Sequence, residues 1–160
     1  MTSPLTVGTL FIRLFSGVIN LIVLILYRVG FQGEFLGVGG TWNLNEAKNP
    51  DAEIVASGIF VGYFIYTIIS LIAFCFSVGD HKTTYTDVLM NLIGVFMWVA
   101  IGATALHYWN GYMAEHKYVS MNSERMIGLT LGALCLINGA SYLINTAVGG
   151  IFIARYKSQQ

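Results

Sequence analysis

Charge is what this sequence has least of. Only 10% of its 160 residues are Asp, Glu, Lys or Arg, against about 25% in an ordinary soluble domain. The 8 basic and 8 acidic side chains cancel, so there is no basic field to hold nucleic acid and no acidic tail to solvate the chain. Cysteine is almost as scarce. Cys75 and Cys135 both sit inside apolar stretches, which excludes a disulfide between loops and leaves packing, or palmitoylation near a membrane edge, as their roles. No N-x-[ST] sequon is present.

Catalytic signatures are missing as well. His81, His107 and His116 are the only histidines, and none pairs with another at the i, i+4 spacing that places two metal ligands on one helix face. Glu115 and His116 are neighbours in sequence and point in different directions, so a metal or acid–base pair there needs partners from Glu124 or the first loop. Gly37, Gly39 and Gly40 lack the GxxxxGK[ST] context of a phosphate cradle, and no G-x-S-x-G elbow occurs. The reading is a protein that is not an enzyme and carries no cofactor or metal.

What the chain does have is apolar length. Hydrophobic residues make up 56% of it. A hydrocarbon core about 30 Å thick needs roughly 20 apolar residues in a helix, and three charge-free runs satisfy this: 54–79, 88–114 and 126–154. A fourth, 5–27, contains one charge, Arg13. With Arg28 at the far edge, Arg13 falls within one or two turns of the opposite face, where its stem is expected to snorkel outwards. An amino-terminal signal peptide reads poorly, because no charged residue precedes Arg13 and Tyr27-Arg28-Val29 is no small-residue cleavage site. The expected fold is therefore an all-α bundle of four transmembrane helices in a single domain, 1–160. The spans are about 8–28, 54–78, 88–109 and 127–151, joined by loops at 29–53 and 110–126. The first loop leaves room for a small hairpin, its alternation being too short to fix one.

Lys and Arg do not orient the chain. Arg13, Lys82, Arg155 and Lys157 lie on the side of the termini, and Arg28, Lys48, Lys117 and Arg125 on the side of the two long loops, an even split under the positive-inside rule. Arg155 and Lys157 directly behind the last span are the flank expected to stay cytoplasmic, which places both termini inside and both loops outside.

Because lipid offers little hydrophobic drive between helices, close approach at small residues and interhelical hydrogen bonds must hold the bundle. Gly58 and Gly62 in the second span, and Gly128 and Gly132 in the fourth, have the four-residue spacing of a packing face. Arg13, Ser16 and Asn20 line one face of the first span, and Asn138, Ser141 and Asn145 one face of the fourth. Such stripes also suit a small channel or transporter. Amides bonding across the bundle, Asn138 and Asn145 among them, are the plainer reading.

The loops are unusually oily. The stretch GEFLGVGGTWNLN at 33–45 combines turn-permitting glycines with Phe35 and Trp42, and Tyr108, Trp109, Tyr112 and Tyr118 gather around the end of the third span. Such rings either anchor at lipid headgroups or engage a protein. Phe35, Trp42, Asn43, Asn45, Tyr112 and Tyr118 are the candidate partner interface.

The strings GEFLGVGGTWNLNE (33–46), PDAEIVASG (50–58), FVGY (60–63), GATALHYW (102–109) and NSER (122–125), set among four spans, resemble the snakeskin family, small tetraspan proteins of arthropod smooth septate junctions. The resemblance runs along essentially the whole chain. It implies a structural junction component at the plasma membrane of gut epithelial cells, supporting the paracellular barrier with the membrane protein Mesh and a tetraspanin as partners. Claudins are a looser analogy, since their first loop is longer and carries a disulfide that this chain lacks.

Overall fold

The computed structural model describes residues 4–29, 50–76, 85–112 and 122–158. Within them the chain is helical throughout: α1 spans Pro4–Val29, α2 Pro50–Phe76, α3 Tyr85–His107 and α4 Asn122–Lys157, with a π-helical turn at Tyr108–Tyr112 continuing α3. No strand occurs among the described residues. The proposed hairpin at 29–53 lies almost wholly outside them.

The chain's two prolines, Pro4 and Pro50, open α1 and α2. The first turn tolerates proline because its missing N–H has no helical partner to lose, and the helix interiors are left free of proline altogether. Asp87 lies in the first turn of α3, and Arg155 and Lys157 close α4, each sign favoured by the helix dipole at that end.

Four helices are long and apolar enough to cross a membrane, over Thr6–Arg28, Ile54–Phe74, Tyr85–Asn110 and Met126–Arg155. The 36 residues of α4 correspond to about 54 Å at 1.5 Å per residue, well beyond the hydrocarbon core. The run at 126–154, longer than one span requires, therefore stays within an unbroken helix. The third and fourth helices also reach further into the second loop than 110–126 implied, to residue 112 on one side and from residue 122 on the other.

Polarity is arranged inside out relative to a soluble domain. Large apolar side chains such as Phe11, Val18, Ile69 and Phe96 point outwards, while Arg13, Ser16, Asn20, Asn138, Ser141 and Asn145 are buried. This is what a bilayer selects: lipid accepts the apolar surface, and polar side chains are stable only where they meet one another.

Helix α4 packs most extensively, against α3 along one side and α1 along another, while α1 also packs on α2. Of the four side-by-side pairs, α2 and α3 approach each other least. The space between them is filled by rings: Phe60 lies 5.4 Å from Trp98 between centroids, and Tyr63 stands edge-on to Tyr142 at 5.2 Å. Trp98 stacks on Tyr142 at 6.4 Å. These four rings form a layer across the middle of the bundle, and all four side chains are 7% exposed or less.

Candidate functional site

A polar centre lies on the terminus side of that aromatic layer, built from one helical face of each span. On α1 the spacing of Arg13, Ser16 and Asn20 aims all three inwards. Arg13 does not snorkel to the surface as its place near a helix end suggested. It is 5% exposed, donates from Nη1 to Ser70 Oγ on α2, and pairs through Nη2 with Asp87 Oδ2 on α3 at 3.3 Å. A guanidinium one or two turns inside a span meets a low dielectric, and a counter-ion at the same depth satisfies it better than an outward stretch.

Asp87 falls in the interval between the expected second span, ending near 78, and the third, starting near 88. The early start of α3 at Tyr85 places it in the first helical turn, facing inwards. Its other oxygen, Oδ1, accepts from the Tyr66 hydroxyl at 3.0 Å, so the carboxylate ties α1, α2 and α3 together. An Arg inside an apolar run demands a partner at equal depth, and counting spans leaves few acids there. That was the available signal for Asp87. The contributions of Tyr66, Thr67, Ser70 and Tyr142 had no such signal.

Hydroxyl groups make further links between the helices. Ser16 and Ser141 share a hydrogen bond at 2.6 Å between α1 and α4. Because Ser141 Oγ also donates to the Asn138 carbonyl oxygen at 2.7 Å, Ser16 is the donor of the pair. Thr67 Oγ1 donates to the Tyr63 carbonyl at 2.8 Å and so receives the Tyr142 hydroxyl at 2.9 Å, joining α2 to α4. Tyr63 donates to the Met90 carbonyl on α3 at 3.1 Å.

The two amides expected to act as glue are both buried, at 0% exposure for Asn138 and 4% for Asn145. Asn138 Oδ1 accepts from Ser141 within its own helix at 3.2 Å. Asn138 Nδ2 and Asn145 Oδ1 have no partner among the described residues. A small cavity adjoins Asn145, walled also by Arg13, Ser16, Tyr66, Thr67, Ser70, Asn91 and Tyr142.

The four glycines of the expected packing faces divide into two pairs. Gly128 lies directly against the Trp109 indole, which leaves no room for a Cβ, and a Cβ at Gly132 would stand 2.8 Å from Leu106. Gly58 and Gly62 face outwards with nothing within 4 Å, so they bring no helix of this chain together. The partner of Gly132 is Gly102 on α3, a small residue of the third span: a Cβ there would stand 2.9 Å from the Gly132 carbonyl oxygen.

Of the aromatic cluster at the end of the third span, Tyr108 and Trp109 are buried, at 6% and 0% exposure, with their rings edge-on at 5.2 Å. The π-helical turn continues α3 at these residues and carries Trp109 over Gly128, so these two rings belong to the core and not to an outer cap. Tyr112 ends that turn. Phe35, Trp42, Asn43, Asn45 and Tyr118 lie outside the described residues. Cys135 is a buried, free thiol, and among the described residues no group of His, Cys, Asp and Glu could hold a metal ion.

Four apolar helices enclosing a polar interior define a multi-pass membrane protein. Comparison with characterised proteins narrows the class. The chain is 53% identical over 155 residues to Protein snakeskin of Bombyx mori, covering 97% of this chain and 99% of that one. It is 50% identical over 155 residues to Protein snakeskin of Drosophila melanogaster, covering 97% and 96%. The chain belongs to the snakeskin family. No protein-family profile matches it, and no solved structure does.

Proposed function

We propose that this chain is a structural component of smooth septate junctions, a non-catalytic membrane scaffold supporting junction assembly and the paracellular barrier of gut epithelium. The observation that carries the reading is its likeness, over nearly the full length of both chains, to two proteins named snakeskin, because a four-helix bundle alone specifies no function. Both termini are cytoplasmic on this reading, and the loops at 29–53 and 110–126 face outwards. Phe35, Trp42, Asn43, Asn45, Tyr112 and Tyr118 then engage partners laterally or on the facing cell, with Mesh, a tetraspanin and further copies of the chain as the expected partners.

The interior supports a scaffold better than a conduit. Its basic group is paired with Asp87, and Phe60, Tyr63, Trp98 and Tyr142 fill the bundle beside it. The polar cavity favours the second reading, a small channel or transporter, and two experiments separate them. In epithelial cells, Trp42→Ala is expected to reduce recruitment to lateral contacts and raise tracer leak while the melting of the purified bundle stays unchanged. Normal recruitment of that variant counts against the scaffold interface. In liposomes the purified protein is expected to leave ion and solute flux at the lipid background, whereas flux abolished by Asn138→Leu establishes the second reading.

A further inference from the structure

The cavity between the Arg13–Asp87 pair and the aromatic layer has a wall that specifies its occupant in three respects. The first is hydrogen bonding. Asn145 is 4% exposed and lines the cavity, and its Oδ1 meets no donor among the described residues. A carbonyl oxygen withdrawn from both water and protein is expensive, and more so where the surrounding solvent is lipid. The same wall presents the Asn91 amide and the hydroxyls of Ser16, Tyr66 and Thr67, which come from the other three helices.

The second respect is charge. Arg13 is the charged member of the lining, and Asp87 already balances it at 3.3 Å. An ion added here would be a buried charge without a counterpart, which low-dielectric surroundings penalise heavily. The occupant is therefore neutral. The third is size: the space open to the centre of a water-sized sphere is about 10 Å³, on the scale of one water molecule.

We infer that this cavity is an internal hydration site. It holds one ordered water that donates to Asn145 Oδ1 and bonds to a hydroxyl or amide from another helix. The water then acts as the joint between α4 and the rest of the polar centre that the Asn145 side chain does not supply by itself. It is a fixed ligand and not a link in a conducting file, because the rings of Phe60, Tyr63, Trp98 and Tyr142 pack the bundle on the loop side of it.

The test uses the full-length protein in lipid nanodiscs. A structure that resolves bound solvent is expected to show one peak about 3 Å from Asn145 Oδ1 and within hydrogen-bonding reach of a second helix. Absence of a peak, rotation of Asn145 onto a protein donor, or density with the coordination of an ion overturns the inference. A second measurement reads the sign of a stability change. If water satisfies Oδ1, Asn145→Leu displaces that water, leaves its other partners unpaired and lowers the melting temperature. If Oδ1 is simply unpaired, the same substitution relieves a cost, so an unchanged or raised melting temperature overturns the inference.

Discussion

Helices α3 and α4 meet over glycine, whereas α2 and α3 meet over rings, and the contrast shows two ways of holding a bundle together in lipid. Along the first seam Gly102, Gly128 and Gly132 bring the backbones so close that a Cβ would collide with Gly132 oxygen, Trp109 or Leu106. Dispersion between closely approaching chains is the glue there. Along the second, Phe60, Tyr63, Trp98 and Tyr142 hold the helices apart, and the polar centre occupies the room this creates on the terminus side. Close approach excludes polar side chains, and separation requires them to satisfy one another. The two halves should therefore fail differently.

The largest effect is expected in the glycine seam. Gly102→Leu pushes a side chain against backbone that cannot turn away, and overpacking of this kind costs about 3 kcal/mol or somewhat more. Loss of the monodisperse peak in detergent, or a steep fall in melting temperature, checks it. A well-folded Gly102→Leu protein would mean that the seam can open and that the contrast is weaker than the geometry implies.

Breaking the ion pair comes next. Asp87→Ala leaves Arg13 buried without its counter-charge, a change worth about 3 kcal/mol, the lower end of the range for buried pairs, because the Asp87 side chain is 18% exposed. The paired replacement Arg13→Met with Asp87→Ala is expected to recover most of the loss, as thermal unfolding of the single and double variants would show. No recovery would mean that Arg13 is held chiefly by Ser70 and not by charge.

Smaller still is Ser16→Ala. It removes one hydroxyl link to Ser141 and should cost about 0.6 kcal/mol, the typical size of such bonds between membrane helices. Chemical unfolding in mixed micelles has the precision to detect it. At the bottom of the scale, Gly62→Leu is expected to change the monomer's stability by less than about 0.5 kcal/mol, since Gly62 faces outwards with open space around it. A large loss there would place a helix of a second copy against α2.

Much of this was legible in the residues. Three charge-free runs and a fourth interrupted by Arg13 alone locate the four spans, and the i, i+3, i+4 positions of Ser16, Asn20, Asn138, Ser141 and Asn145 identify inward faces on α1 and α4, because burial repeats with the helix period. The same rule misplaced Gly58 and Gly62. Their spacing is right for a packing face, yet spacing alone says that residues share a face and not which neighbour the face meets. Trp109 was misjudged for a related reason: a ring at the end of a span reads as an interfacial anchor, and only the π-helical turn carries it inwards over Gly128.

By itself the amino-acid sequence determined that four segments are long and apolar enough to cross a membrane, which helical stripes are small or polar, and, through its likeness to snakeskin, the family. Tertiary structure alone decided that Arg13 answers to Asp87, 74 positions further along the chain, that hydroxyls such as Ser16, Thr67 and Tyr142 cross-link the helices, and that α3 and α4 close on glycine while α2 stands off. The reason lies in the solvent. In water, hydrophobicity points a residue inwards, but lipid is as apolar as the bundle's own interior, so hydropathy fixes depth in the membrane and leaves each helix's rotation and neighbours to packing between distant segments.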